Sequence, residues 1–139
     1  MNHEQIALVQ TSFEHVLPIA DAAAALFYER LFALDPTLQP LFTGDMHEQG
    51  RKLMTMIRFV VKGLHQLELL IPSVQDLGRC HAAYGVLDNH YDTVGVALLA
   101  TLDQGLGERF TPEVRAAWVS AYILLAGTMR GRMIDTIAY

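Results

Sequence analysis

The chain has 139 residues, a length for one domain with one sizeable core, and 52% of them are hydrophobic. Fifteen acidic residues against ten Lys and Arg give a net charge of −5, which leaves no basic footprint for nucleic acid. One cysteine excludes an internal disulfide, and the longest late apolar run, 119–127, is far short of the ~20 residues a bilayer span requires.

The opening MNHEQ has no basic region ahead of an apolar core, so no signal peptide is visible and a cytoplasmic location is expected. Asn2 with Gln5 three residues on reads as a helix start, because a short polar side chain can accept a free amide of the first turn. Ile6, Val9, Phe13, Val16 and Leu17 follow at helical spacing. Pro18 interrupts, and a second helix runs through Ala22, Leu26, Phe27, Leu31 and Phe32. Asp35 before Pro36 predicts the cap and first residue of a short third piece ending near Leu41 and Phe42. Thr43-Gly44 marks a loop.

Asp45 with Glu48 opens a long amphipathic stripe of Leu53, Met56, Ile57, Val60, Val61 and Leu64. The spacing predicts a break at Ile71-Pro72-Ser73, with Ser73 and Asp76 capping the helix that carries His81. Asn89 with Asp92 predicts the start of a further helix with Tyr91, Val94, Leu98, Leu99, Leu102 and Leu106 inside, ending at Gly107. Thr111-Pro112-Glu113 is the clearest start: a cap, a proline at the first position and an acid near the positive end of the dipole. The last helix places Val114, Trp118, Ala121, Tyr122, Leu125 and Met129 on one face. No alternating run is bounded by hairpin dipeptides, so the expected fold class is all-α.

His81 lies within LGRCHAAYG, where Leu77 is apolar and Gly78 and Gly85 leave little bulk one turn away. A flat apolar ligand can lie against such a segment, and neutral imidazole is the commonest protein ligand for a metal. A mean hydropathy of +0.24 is high for a chain this size, consistent with either an interior apolar body to cover or an apolar outer face.

LFYERLF around Tyr28, PLF ending at Phe42, EQGRKL around Gln49, LGRCHAAYGV around His81 and the HY of His90-Tyr91 occur in one order. Together they resemble the bacterial single-domain globins related to the haem domain of flavohaemoglobins, over nearly the whole chain. The resemblance implies a globin fold of six to eight helices forming one domain over residues 1–139. It also implies haem b (iron protoporphyrin IX) as cofactor, with His81 as the proximal iron ligand. Phe42 corresponds to the phenylalanine that packs flat on the porphyrin. Tyr28 and Gln49 correspond to the distal pair that stabilises bound gas. Leu53 would wall the pocket, Leu77, Val86 and Val94 would touch the macrocycle, and Lys52 and Arg79 are candidates for its propionates.

Tyr91 matches the tyrosine of the family's proximal side, while the position of its glutamate counts to Met133. A methionine there implies a more neutral imidazole and less electron push onto bound oxygen. His47 is read as a surface residue, and His3, His15, His65 and His90 as structural. Cys80 is read as a buried or edge thiol, since it projects about 100° from its neighbour His81.

The resemblance therefore implies reversible binding of oxygen and other diatomic gases such as nitric oxide and carbon monoxide. The alternative is nitric oxide dioxygenation, with Tyr28 and Gln49 as the catalytic pair and a separate reductase supplying electrons. A gas sensor is the third reading. Monomer and homodimer remain equally open.

Overall fold

In a computed structural model the described residues, 1–131, form six α-helices joined by short turns. Helix α1 spans His3–Val16, α2 Ala20–Leu34, α3 Met46–Lys62, α4 Leu67–Ala83, α5 His90–Leu106 and α6 Pro112–Met129. Tight single turns of 3₁₀ helix occupy Leu17–Ile19, Leu64–Gln66 and Gly107–Arg109, and a longer one occupies Pro36–Leu41. Among the described residues there is no strand, and no helix is long and apolar enough to cross a membrane. The all-α expectation holds.

Most helix starts follow the side chains that announced them. Asn2 accepts the amide of Gln5 at 2.8 Å while the Gln5 side chain accepts that of Asn2, a reciprocal capping box. Asp35 accepts the Thr37 amide, Asp45 that of His47 and Thr111 that of Val114, each satisfying a first-turn donor. Two expectations need correction. Asn89 makes no side-chain cap at the start of α5, and the adjacent His90 Nδ1 accepts the amide of Leu87, upstream of the helix, at 2.9 Å.

The second correction is at Pro72, which does not break the chain. It lies inside a continuous α4, with Ser73 and Asp76 making no cap there. A helical proline costs about 3 kcal/mol. Leu70 and Val74, two residues to either side, are both buried, and each such side chain contributes roughly 1.5–3 kcal/mol. Their burial, with Gly78 on the same face, offsets the proline.

The main core gathers Val9, Phe13 and Val16 of α1, Leu102 of α5 and Trp118 of α6, with Leu70 and Val74 of α4 against the α6 side. Its polar members pair with each other: Trp118 Nε1 donates to the Ser12 hydroxyl at 2.8 Å, and that hydroxyl donates to the Leu8 carbonyl. A separate cluster of Phe27, Tyr28, Leu31, Leu38 and Ala97 lies between α2, the Pro36–Leu41 turn and α5. Helix α4 packs chiefly on α6, and the approach is close at one residue. A Cβ on Gly78 would stand 2.7 Å from the Met129 Cα, with the Met129 carbonyl oxygen nearer still. Only glycine fits there.

Candidate functional site

The second cluster is incompletely covered. Its inner members are buried, but Phe32, Leu41, Phe42, Met46, Leu53, Val94 and Leu98 packed around them are only half-buried. These side chains come from α2, the Pro36–Leu41 turn and its exit, α3 and α5, and they present apolar surface that the protein itself does not fully bury. The aromatic members are mutually locked. Tyr28 meets Phe27 and Phe42 edge-on, at centroid distances of 5.2 and 5.3 Å, and Phe42 meets Phe32 at 5.5 Å. Behind Phe27, Leu53 and Leu98 lies an apolar cavity of about 20 Å³ that reaches Trp118.

Tyr28 is 7% exposed, and burial pushes its phenol up to about 12. The group is therefore a neutral O–H donor at any ordinary pH. It donates to the backbone carbonyl of Gln49 at a long 3.3 Å. The Gln49 side chain turns away, its Nε2 donating to the Thr43 carbonyl at 3.4 Å. Tyr28 and Gln49 are thus neighbours through the backbone of α3, and their side chains do not bond to each other.

His81 is half-buried in the last turn of α4. Its Nδ1 lies 2.8 Å from the Leu77 carbonyl oxygen. A carbonyl can only accept, so Nδ1 carries the proton and Nε2 keeps its lone pair, the tautomer a metal ligand needs. Nε2 itself makes no hydrogen bond among the described residues. The helix ends two residues after this histidine. Gly85, at φ +93°, turns the chain so that the Gly85 and Val86 amides close onto the Ala82 and His81 carbonyls, both at 3.1 Å. A Cβ on Gly85 would lie 3.9 Å from Leu41 Cδ2, which puts the end of the His81 helix beside the apolar cluster.

Among the described residues no three His, Cys, Asp or Glu side chains converge as a metal site. A metal bound at Nε2 would need a group that brings its own further ligands, as a macrocycle does. The half-buried apolar side chains, the oriented imidazole and the buried phenol suit that kind of group.

A family model described as Globin matches residues 25–129. The chain belongs to the globin family. This globin is 30% identical over 135 residues to flavohemoproteins of Bordetella parapertussis and Bordetella bronchiseptica, covering 95% of its own length and 34% of theirs. It is 26% identical to a flavohemoprotein of Vibrio cholerae over 91% of its length and 33% of that protein. It spans about a third of the length of these relatives. A bacterial globin from Campylobacter jejuni, 22% identical, superposes with a TM-score of 0.81 over 99% of this chain and all of that one.

The other residues singled out in the sequence of this globin fall in several places. Leu53, Leu77, Val86 and Val94 are half-buried, Leu53 and Val94 within the aromatic cluster. Lys52 is exposed on the outer face of α3, in a groove with Glu48, Arg51 and Phe59. Arg79 is exposed and paired with Asp76. Cys80 is exposed rather than buried, because α4 turns that side to solvent. Met133 lies outside the described residues. His47 is exposed, as expected of a surface residue, and His90 is structural, buried and accepting the Leu87 amide.

Tyr91 is half-buried, and burial raises its phenol while Arg130 pulls it back down and Asp88 adds to the rise. The Arg130 guanidinium lies over its ring, 4.6 Å from the centroid. The sequence pattern gave no reason to single out Arg130. It is a basic residue at the end of an apolar run, and the pairing of α5 with α6 gives it the partners described here.

Proposed function

We propose that residues 1–139 act as one globin unit that carries haem b on His81 and binds oxygen and other diatomic gases reversibly. Haem iron would supply the gas-binding chemistry, and the protein would supply the histidine nitrogen that holds it, the polarity of the pocket and access to it. His81 offers Nε2, with the Leu77 carbonyl holding the ring in one orientation through Nδ1. Phe42, Leu53 and Val94 exclude water from the apolar faces of the macrocycle. Tyr28 is the polar donor of the pocket, kept protonated by burial.

The observation that carries this reading is the His81–Leu77 bond, which readies the imidazole for coordination. The same bond favours gas binding over nitric oxide turnover. A neutral carbonyl behind Nδ1 leaves the imidazole less electron-rich than a carboxylate would. Repeated nitrate formation would in addition need an electron donor to return the iron to the ferrous state.

Absorption spectra of the purified protein test the reading. A Soret band in the wild type that is lost or greatly weakened in His81→Ala supports it; no band, or one unchanged by the substitution, overturns it. Stopped-flow mixing of the oxygenated protein with nitric oxide then separates the two activities, slow or absent nitrate production favouring reversible binding.

A further inference from the structure

We propose that Arg130 is a positioning residue for His81, holding the segment that returns from the His81 helix to α5; the inference rests on the reading of His81 as the iron ligand. The Arg130 side chain is only 13% exposed, so its charge must be compensated where it lies. Among the described residues compensation comes from three groups. Its Nε lies 3.6 Å from Asp88 and its Nη2 3.5 Å from Asp92, both distances longer than good hydrogen bonds. These carboxylates are mostly in water, 61% and 83% exposed, and so are screened. The third group is the face of the Tyr91 ring, at 4.6 Å, a contact that suits a planar guanidinium better than a compact ammonium. From the other side Tyr122 donates its O–H to the Tyr91 carbonyl at 2.5 Å.

These contacts surround the chain that leaves His81. The return segment 84–89 buries little of its own: Tyr84 is 75% and Leu87 60% exposed. It is held by polar ties in series. The Val86 amide reaches the His81 carbonyl, the Leu87 amide reaches His90 Nδ1, and the Tyr91 amide reaches the Asp88 carbonyl at 3.3 Å. Before His81, Gly78 is pressed against the backbone of Met129, the residue adjacent to Arg130. The last turn of α6 therefore grips the His81 segment at both ends, through Met129 on one side and Arg130 on the other. A shift of the guanidinium moves the start of α5 and, through the return segment, the imidazole.

Three proteins are compared: wild type, Arg130→Met, which keeps an apolar stem, and Arg30→Met. Arg30 is the control, because it is also a half-buried guanidinium bridging two helices, through Gln104 at 2.6 Å. The measurements are haem transfer to an excess acceptor, the iron–histidine stretching band of the ferrous protein, and amide exchange over 84–91 in the haem-free protein. Arg130→Met is expected to speed haem loss about tenfold, as loss of an outer-shell partner does, to shift or broaden the band, and to speed exchange at Val86, Leu87 and Tyr91. Arg30→Met leaves all three as in wild type. Unchanged values in Arg130→Met, or equal changes in Arg30→Met, overturn the assignment. If Arg130→Met does not fold, Arg130→Lys replaces it, and wild-type values in that variant overturn the assignment equally. If wild type takes up no haem, the proposed function fails, and amide exchange alone decides whether Arg130 holds the segment.

Discussion

The Tyr28 hydroxyl donates to the backbone carbonyl of Gln49 at 3.3 Å, and not to the Gln49 side chain. A bond this long to a neutral acceptor is a weak claim on the proton, so the O–H can turn to a better acceptor in the pocket. Charge-assisted hydrogen bonds contribute roughly 1.5–3 kcal/mol, and each 1.4 kcal/mol is about tenfold in an equilibrium or rate. Tyr28→Phe should therefore accelerate oxygen release at least about tenfold in ligand-replacement stopped flow. Its effect on folding stability should stay within about 1 kcal/mol, because the ring packing survives. An unchanged release rate would remove Tyr28 from the pocket's chemistry.

Gln49→Leu should do less. Its amide is turned to the Thr43 carbonyl at 3.4 Å, at the exit of the Pro36–Leu41 turn. Reaching a ligand would require that bond to break and the side chain to swing. Oxygen release in Gln49→Leu should rise by less than about threefold, under 1 kcal/mol. A change as large as that of Tyr28→Phe would show that the amide swings inward when gas is bound.

Tyr28 also sets an alkaline limit on stability. Below pH 10 the phenol is neutral in both folded and unfolded chains and contributes nothing to the balance. Between pH 10 and about 12 the unfolded chain gives up the proton while the folded one keeps it, so the unfolded state gains and stability falls as pH rises. The loss reaches roughly 2–3 kcal/mol at the upper end of that window. Tyr122, its phenol also raised, chiefly by burial, acts with the same sign. Urea midpoints at pH 9 and pH 11 should differ clearly in wild type and by less in Tyr28→Phe; equal differences would mean that the phenol ionises in the folded protein.

The features that could be read from the sequence are those fixed by neighbours along the chain. Asp35, Asp45 and Thr111 cap the turns that follow them because the amides they satisfy are two or three residues away. His81, Tyr28 and Phe42 could be picked out because each sits in a short motif at the expected place in the order of helices. Pro72 misled because what overrides it is nonlocal: the burial of Leu70 and Val74. Asn89 looked like a cap, but its side chain bonds no amide in the first turn of α5. Arg130 was invisible for the same reason as Pro72, since its partners among the described residues lie some forty residues earlier.

Gly78 is where packing and function meet most tightly. A methyl group there would overlap the Met129 backbone, which has no flexible end to move aside. Overpacking costs typically about 1–3 kcal/mol and more where backbone must shift. Gly78→Ala should lower the urea midpoint by an amount equivalent to at least 2 kcal/mol, and it should loosen haem because α4 must slide relative to α6. Gly85→Ala meets only an ordinary contact with Leu41 and suffers chiefly from its φ of +93°, about 1 kcal/mol. Equal losses in the two variants would mean that α4 and α6 are not closely apposed.

The Leu77 carbonyl can be tested apart from the imidazole it orients. In His81→Gly the protein should lose haem far more readily than wild type, by more than the ~10–100-fold that loss of an outer-shell partner costs, because the coordinating nitrogen itself is gone. Added imidazole can enter the space, coordinate through one nitrogen and donate through the other to the Leu77 carbonyl. 1-Methylimidazole coordinates equally well but has no second N–H to donate. Imidazole should therefore restore haem retention at about tenfold lower concentration than 1-methylimidazole. Equal potency of the two would show that the Leu77 carbonyl, 2.8 Å from Nδ1, accepts a hydrogen bond without orienting the ligand.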